Sequence, residues 1–210
     1  MKIIEVNGLT KKYRKHTILK DINVSFLKSK CYMLIGNNGA GKSTFIKCLI
    51  GATHFKGEII KMITRVGCVP EKVFLPQHLT VSEFLEEVAS CKGVDEGLDS
   101  FISSNLSKWS ILEKKNSLIK TLSKGMLQKV SIIQSTIDDG ELLIFDEVLN
   151  GLDQDNQHIF FDTIRSLKEE GKTIIVSTHY PKEYLDIVDV ILEIKNQSIY
   201  EKKVSDYKTS

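Results

Sequence analysis

The stretch Gly36-Asn37-Asn38-Gly39-Ala40-Gly41-Lys42-Ser43-Thr44 has the spacing G-x-x-x-x-G-K-[ST]. These residue types suit a triphosphate. Glycines let successive backbone N–H groups turn inward, and a helix N-terminus behind them adds partial positive charge. Lys42 is then placed to reach the β/γ-phosphates, and the Ser43 hydroxyl to bind Mg²⁺. At ordinary glycine usage the four fixed positions coincide by accident in roughly one chain of this length per hundred. Asp146-Glu147, about a hundred residues on, is a second candidate. One carboxylate there can hold Mg²⁺ directly or through water, and the other can polarise a water that attacks the γ-phosphate. By itself an acidic pair after a strand is as often the start of a solvated loop. The phosphate loop tips the balance.

Elements must carry these groups. Cys31-Tyr32-Met33-Leu34-Ile35 is an apolar run of strand length before the loop, and Phe45, Ile46, Leu49 and Ile50 follow at helical spacing, with Gly51 as a stop. Leu142-Leu143-Ile144-Phe145 and Thr173-Ile174-Ile175-Val176 read as parallel strands buried on both faces. Their carboxyl ends are where an open α/β sheet binds ligands, which points Asp146 and Glu147 at the loop. Residues 2–7 and 17–26 read as strands joined by a polar loop from Thr10 to His16. Short strands are expected at 57–61 and 65–69, and helices from Ser123 to Ile137, Asp155 to Glu170 and Lys182 to Val188. A hairpin closes the chain, with strands 190–194 and 198–203. From Thr80 to Ser117 the pattern is helical, broken at Gly93, Gly97 and Asn116, with Thr80 or Ser82 as cap. The expected fold is α/β: a single domain over 1–210, with a core of 1–70 and 122–210 and a helical lobe of about 71–121 inserted in it.

With 210 residues the chain has ample length for a buried sheet, and its net charge of +2 calls for neither nucleic acid nor an anionic surface. The excess of basic residues in the first thirty reads as a solvated face. The four cysteines, Cys31, Cys48, Cys68 and Cys91, have no C-x-x-C pair or metal-like spacing, which points to a reducing compartment. No signal peptide is expected at Met1-Lys2-Ile3-Ile4-Glu5, and no apolar run approaches the ~20 residues that span a bilayer. Transmembrane work would belong to another chain. His16, His54, His78 and His158 read as surface residues, and Trp109 as packing.

Leu122-Ser123-Lys124-Gly125-Met126 resembles the L-S-G-G-Q signature of ATP-binding cassette (ABC) transporters. With Asn150-Gly151-Leu152-Asp153 like the D-loop and Val176-Ser177-Thr178-His179 like the switch-histidine segment, nearly the whole chain resembles the nucleotide-binding subunit of that family. Glu183 and Asp189 also match. The resemblance implies a phosphate-loop NTPase core, a mostly parallel sheet with an antiparallel N-terminal β region. It implies that Tyr13 stacks on adenine, that residues 36–44 cradle the phosphates, and that Leu122, Ser123, Gly125 and Asp153 serve the ATP of a second, opposite subunit. Glu147 would be the base, His179 would steady the γ-phosphate, and Ser43, Glu71 and Asp146 would hold Mg²⁺. Ser123 is also an ordinary N-cap, and a lone histidine at a strand end is usually structural.

Three positions depart from the family pattern. Glu71 stands where most members have glutamine, Lys124 replaces the first signature glycine, and Met126 the glutamine. A carboxylate there still binds metal or water but donates no hydrogen bond. These departures resemble compact exporter-type subunits. The function expected is ATP hydrolysis driving export through separate integral membrane permease subunits, at the cytoplasmic face of the membrane, with a homo- or heterodimer of cassettes and no nucleic acid. Phe74 and Leu75, both expected to be exposed, would suit the docking of a membrane partner. The alternatives are a soluble ABC-type ATPase of a cytosolic assembly, such as iron–sulphur cluster machinery, and a regulator that binds nucleotide without hydrolysis.

Overall fold

The computed structural model describes residues 1–208. Two long strands, β1 (Lys2–Tyr13) and β2 (His16–Leu27), pair antiparallel, and β4 (Lys56–Lys61) adds to the free edge of β1. The loop expected from Thr10 to His16 shrinks to a turn at Arg14-Lys15, because β1 runs on to Tyr13 and pairs it with His16. The polar side chains that suggested a loop lie on a sheet that is wet on one face, where alternation and not apolar content marks a strand.

The second sheet has the order β5-β6-β7-β3-β8-β9. Strands β3 (Cys31–Ile35), β5 (Val66–Val69), β6 (Leu142–Asp146), β7 (Thr173–Ser177) and β8 (Val190–Lys195) are parallel, and β9 (Ser198–Lys202) returns antiparallel. Every residue of β3, β6 and β7 is buried. Their alternate side chains serve two cores. Met33, Leu143, Phe145, Ile174 and Val176 face one, while Leu34, Leu142, Ile144 and Ile175 face the other. That is why these strands read as unbroken apolar runs. Each such side chain, fully buried, contributes about 1.5–3 kcal/mol.

Helix α1 (Lys42–Leu49) and the antiparallel sheet cover one face; Phe45 stacks at 6.4 Å on Phe26 of β2. Helices α2 (Val81–Cys91), α3 (Leu98–Lys108), α4 (Lys124–Ser135) and α5 (Gln154–Glu169) lie on the other. Between Pro70 and Leu122 run α2, α3 and two short 3-10 turns, and their buried Phe84, Leu85, Leu106 and Trp109 join the apolar cluster of the sheet. Thr80, not Ser82, caps α2. Its hydroxyl accepts from Glu83 N at 3.2 Å and Glu83 Oε2 from Thr80 N at 2.7 Å, a reciprocal capping box. Helix α4 stops at Ser135, so Ile137 is buried beyond it, and the helix expected at 182–188 is a single 3-10 turn, Pro181–Tyr184. A short α6 (Ser205–Lys208) follows β9. Among the described residues no helix is long and apolar enough to cross a membrane. All four cysteines are free.

Candidate functional site

The parallel order β6-β7-β3 brings three strand ends together at the carboxyl end of the sheet: Asp146 ends β6 with Glu147 next, Ser177 ends β7 with Thr178 and His179 next, and Gly36 follows β3. There a cleft of about 510 Å³ is lined by Tyr13, Ile18, residues 38–44, Glu71, Glu147, Asn150 and His179. Its size is that of a small-molecule site.

Backbone geometry explains the glycines at the two ends of the loop. A side chain at Gly36 would stand 2.7 Å from the carbonyl oxygen of Ile194. Gly41 caps α1 at φ 113°, a conformation L side chains rarely adopt. The loop can therefore fold back onto the first turn of α1, whose Lys42, Ser43 and Thr44 line the cleft; the first N–H groups of a helix have no partner within it.

Lys42 is buried. Its Nζ donates to Gly36 O at 2.9 Å and lies 3.4 Å from both Glu147 Oε1 and His179 Nε2. His179 Nε2 in turn stands 3.1 Å from Glu147 Oε1. That oxygen is buried and near both nitrogens, yet it accepts a hydrogen bond from neither. A buried carboxylate oxygen with unused acceptor capacity is the feature a general base for water needs. Glu147 also holds φ 53°, ψ 36°, the left-handed region that a non-glycine residue avoids. Its N–H is fixed in that geometry by Ser177 O and Ser177 Oγ, both at 3.2 Å.

Asp146 lies behind the cleft and does not line it. Burial pushes its carboxyl above the ordinary range. Hydrogen bonds from Ser177 and then Ser43 draw it back, the negative charge of Glu71 adds to the rise, and Lys42 opposes it. Ser43 Oγ is also 3.5 Å from Glu71 Oε2, so one alcohol oxygen sits between two carboxylates and its single proton serves one at a time. This all-oxygen set fits Mg²⁺, which takes one or two carboxylates together with phosphate oxygens and water. Among the described residues no three His, Cys, Asp or Glu side chains form a cage that would hold a metal without a ligand.

Not every expected residue reaches the cleft. Gly36 and Asn37 shape the loop from below, Gly36 through its carbonyl on Lys42 and Asn37 through its carbonyl, which accepts from Ala40 N at 3.0 Å. Leu122, Ser123, Gly125 and Asp153 are outside its lining. Leu122 is buried against the helices, and Ser123 caps α4, accepting from Met126 N at 3.3 Å. Gly125 is pressed against Gly151, where a side chain would meet the Gly151 carbonyl at 3.1 Å. Asp153 caps α5, accepting from Asn156 N at 3.0 Å and Asn156 Nδ2 at 2.6 Å. Phe74 is exposed as expected, but Leu75 is half-buried and packs on the core. His16, His54, His78 and His158 are exposed, and Trp109 is buried. Three residues of the site were not foreseen. Ile18 is an ordinary apolar strand residue and carries no signal. Asn150 and Ser177 stood inside recognised segments without an assigned part.

Residues 19–150 match the family described as ABC transporter. A Nod factor export ATP-binding protein of Ralstonia nicotianae is 32% identical over 92% of this chain, which spans 64% of that relative's length. An uncharacterised ABC transporter ATP-binding protein of Methanocaldococcus jannaschii is 34% identical over 97% of this chain and 78% of its own length. A lantibiotic transport ATP-binding protein of Streptococcus pyogenes is 34% identical over 90% of this chain and 85% of its own. Among solved structures, an ATP-binding subunit of an ABC transporter superposes with TM-score 0.91 at 27% identity, covering 99% of this chain and 92% of that one.

Proposed function

This chain belongs to the ABC transporter family of ATP-binding subunits, and on that premise we propose that it binds and hydrolyses ATP to drive export through separate membrane permeases. The observation that carries the reading is the buried Glu147 Oε1, which accepts no hydrogen bond from the protein and is flanked in the phosphate-loop cleft by Lys42 and His179. The relatives named for Nod factor export and lantibiotic transport, with Glu71, Lys124 and Met126 at their places, support export as the direction.

In this mechanism the N–H groups of residues 38–44 and the Lys42 ammonium hold the triphosphate, and Tyr13 stacks on the base. Ser43, Asp146 and Glu71 would hold Mg²⁺, which supplies charge neutralisation on the β- and γ-oxygens. Glu147 Oε1 takes a proton from the attacking water, while the His179 imidazole steadies the γ-phosphate. Glu147 takes its positive φ between the end of β6 and a 3-10 turn, Val148–Gly151, that starts at the next residue.

The residues Ser123, Gly125 and Asp153, absent from the lining of the chain's own cleft, are the half-site for the ATP of a second cassette. Ser123 and Lys124 are exposed at the start of α4, where free N–H groups suit a γ-phosphate. Two cassettes facing head to tail thus complete each other's sites, and ATP holds them together until hydrolysis. The helical lobe, 71–121, carries exposed Phe74 and would receive the permease on the cytoplasmic side of the membrane.

Two variants test this. Glu147→Gln keeps the shape and loses the base, so turnover falls about 10²–10⁴-fold while ATP–Mg²⁺ produces a dimer in size-exclusion chromatography. Lys42→Ala removes the cation beside the phosphates and abolishes ATP binding. A Glu147→Gln protein that stays monomeric under saturating ATP refutes the shared site, and unchanged ATP affinity in Lys42→Ala refutes the loop assignment.

A further inference from the structure

Lys11 does not line the cleft, yet its ammonium is the charge lying against the aromatic ring at the cleft's edge. It stands on β1 two residues before Tyr13 and is only 7% exposed, whereas Tyr13 is 44% exposed. Its Nζ donates to Thr53 Oγ1 at 2.6 Å and to the His54 carbonyl at 2.5 Å. The same nitrogen is 4.6 Å from the centroid of the Tyr13 ring. An ammonium has three protons. Two go to oxygens of the loop that follows α1, and the ring's negative face takes the third direction, as in a cation–π pair.

A lysine stem is flexible, and an ammonium is strongly hydrated in water. Held almost dry by three fixed partners, this one cannot swing away from the ring without leaving Thr53 and His54. The ring is correspondingly constrained on one side only. Its remaining surface is open along the cleft that Ile18 and residues 38–44 line.

We propose that Lys11 is a positioning residue for nucleotide recognition: it sets the plane of the Tyr13 ring so that the opposite face meets the purine. It also ties that platform to the loop closing α1, the helix whose first turn holds the phosphates. The base and phosphate ends of the site thereby share one support. The inference rests on the reading that Tyr13 takes the base, and the experiment separates the two.

ADP and pyrophosphate are the probes, because neither is turned over and only ADP carries a base. Their affinities are measured by calorimetry for the wild-type chain and for Lys11→Met, Lys11→Arg and Tyr13→Ala. Lys11→Met is expected to weaken ADP about three- to ten-fold, the range of a partly desolvated cation–π contact, and to leave pyrophosphate unchanged. Lys11→Arg, which keeps a cation against the ring, restores most of the ADP affinity. If Lys11→Met fails to fold, Thr53→Val removes one anchor and keeps the charge, and should reduce ADP affinity selectively. Wild-type ADP binding in the variant measured, or parallel loss of both probes, overturns the proposal. Undiminished ADP affinity in Tyr13→Ala would instead remove the base reading on which it rests.

Discussion

Glu147 and His179 meet with Oε1 3.1 Å from Nε2, one residue at the end of β6 and the other just past β7. The pairing of Asp146 with Ser177 in the two neighbouring parallel strands sets that distance. Lys42, 3.4 Å from both groups, closes a triangle of acid, imidazole and ammonium at the glycine-loop end of the cleft.

In the proposed mechanism His179 would act on a charge that forms during reaction more than on the bound triphosphate, which Lys42 and the loop would already hold. His179→Ala should therefore lower single-turnover hydrolysis about 10²-fold, the scale of one lost preorganised donor. Equilibrium ATP affinity should change little. An equal loss in both measurements would assign His179 to binding instead.

Ser177 is buried, and its hydroxyl donates to Asp146 while accepting from the N–H of Glu147. Ser177→Ala leaves a buried carboxylate short of a donor. The expected cost is about 1–3 kcal/mol in urea denaturation, with slower hydrolysis because Glu147 loses part of its support. Wild-type stability and wild-type turnover together would contradict the part given to Ser177.

Glu71 contributes a carboxylate oxygen near Ser43 and a negative charge that helps raise the Asp146 carboxyl. Glu71→Gln keeps the oxygen and removes the charge. Steady-state hydrolysis should stay within about threefold of wild type, since an amide carbonyl remains a hard-oxygen ligand. Complete loss of turnover would show that the carboxylate itself is required.

Asp153 is held below its ordinary value of 3.8 by hydrogen bonds from Asn156, backbone first and side chain second. The sign follows from linkage. A depressed folded-state pKa means the cap's stabilisation is fully present above 3.8 and is lost as pH falls through the lowered value. Asp153→Ala should thus destabilise by about 0.5–2 kcal/mol near neutrality, as N-cap removals do. The gap from wild type should narrow in acid, read by thermal denaturation across that window. A gap that is the same at neutral and acid pH would mean that ionisation of the cap is irrelevant.

The phosphate loop, the strands that lead to Asp146 and His179, and the α/β class were all legible along the chain. Each of these is local: fixed spacing in a loop, apolar runs buried on both faces, a cap followed by helical periodicity. The amino-acid sequence overextended the loop before His16, because a strand with one wet face looks polar, and it overexposed Leu75, whose burial depends on neighbours far along the chain.

How these groups meet follows from the packing of the strands. Strand order puts Ser177 against Asp146 and brings Lys42 to His179, contacts between residues 31 and 137 apart in the chain. It also lays the Lys11 ammonium against Tyr13 through two oxygens beyond α1. Spacing along a chain encodes which chemistry a segment offers, whereas hydrogen-bond partners, burial and the backbone angle at Glu147 are properties of the packed whole. Those properties, and not the residue types alone, place a buried carboxylate oxygen with free acceptor capacity at the edge of the cleft.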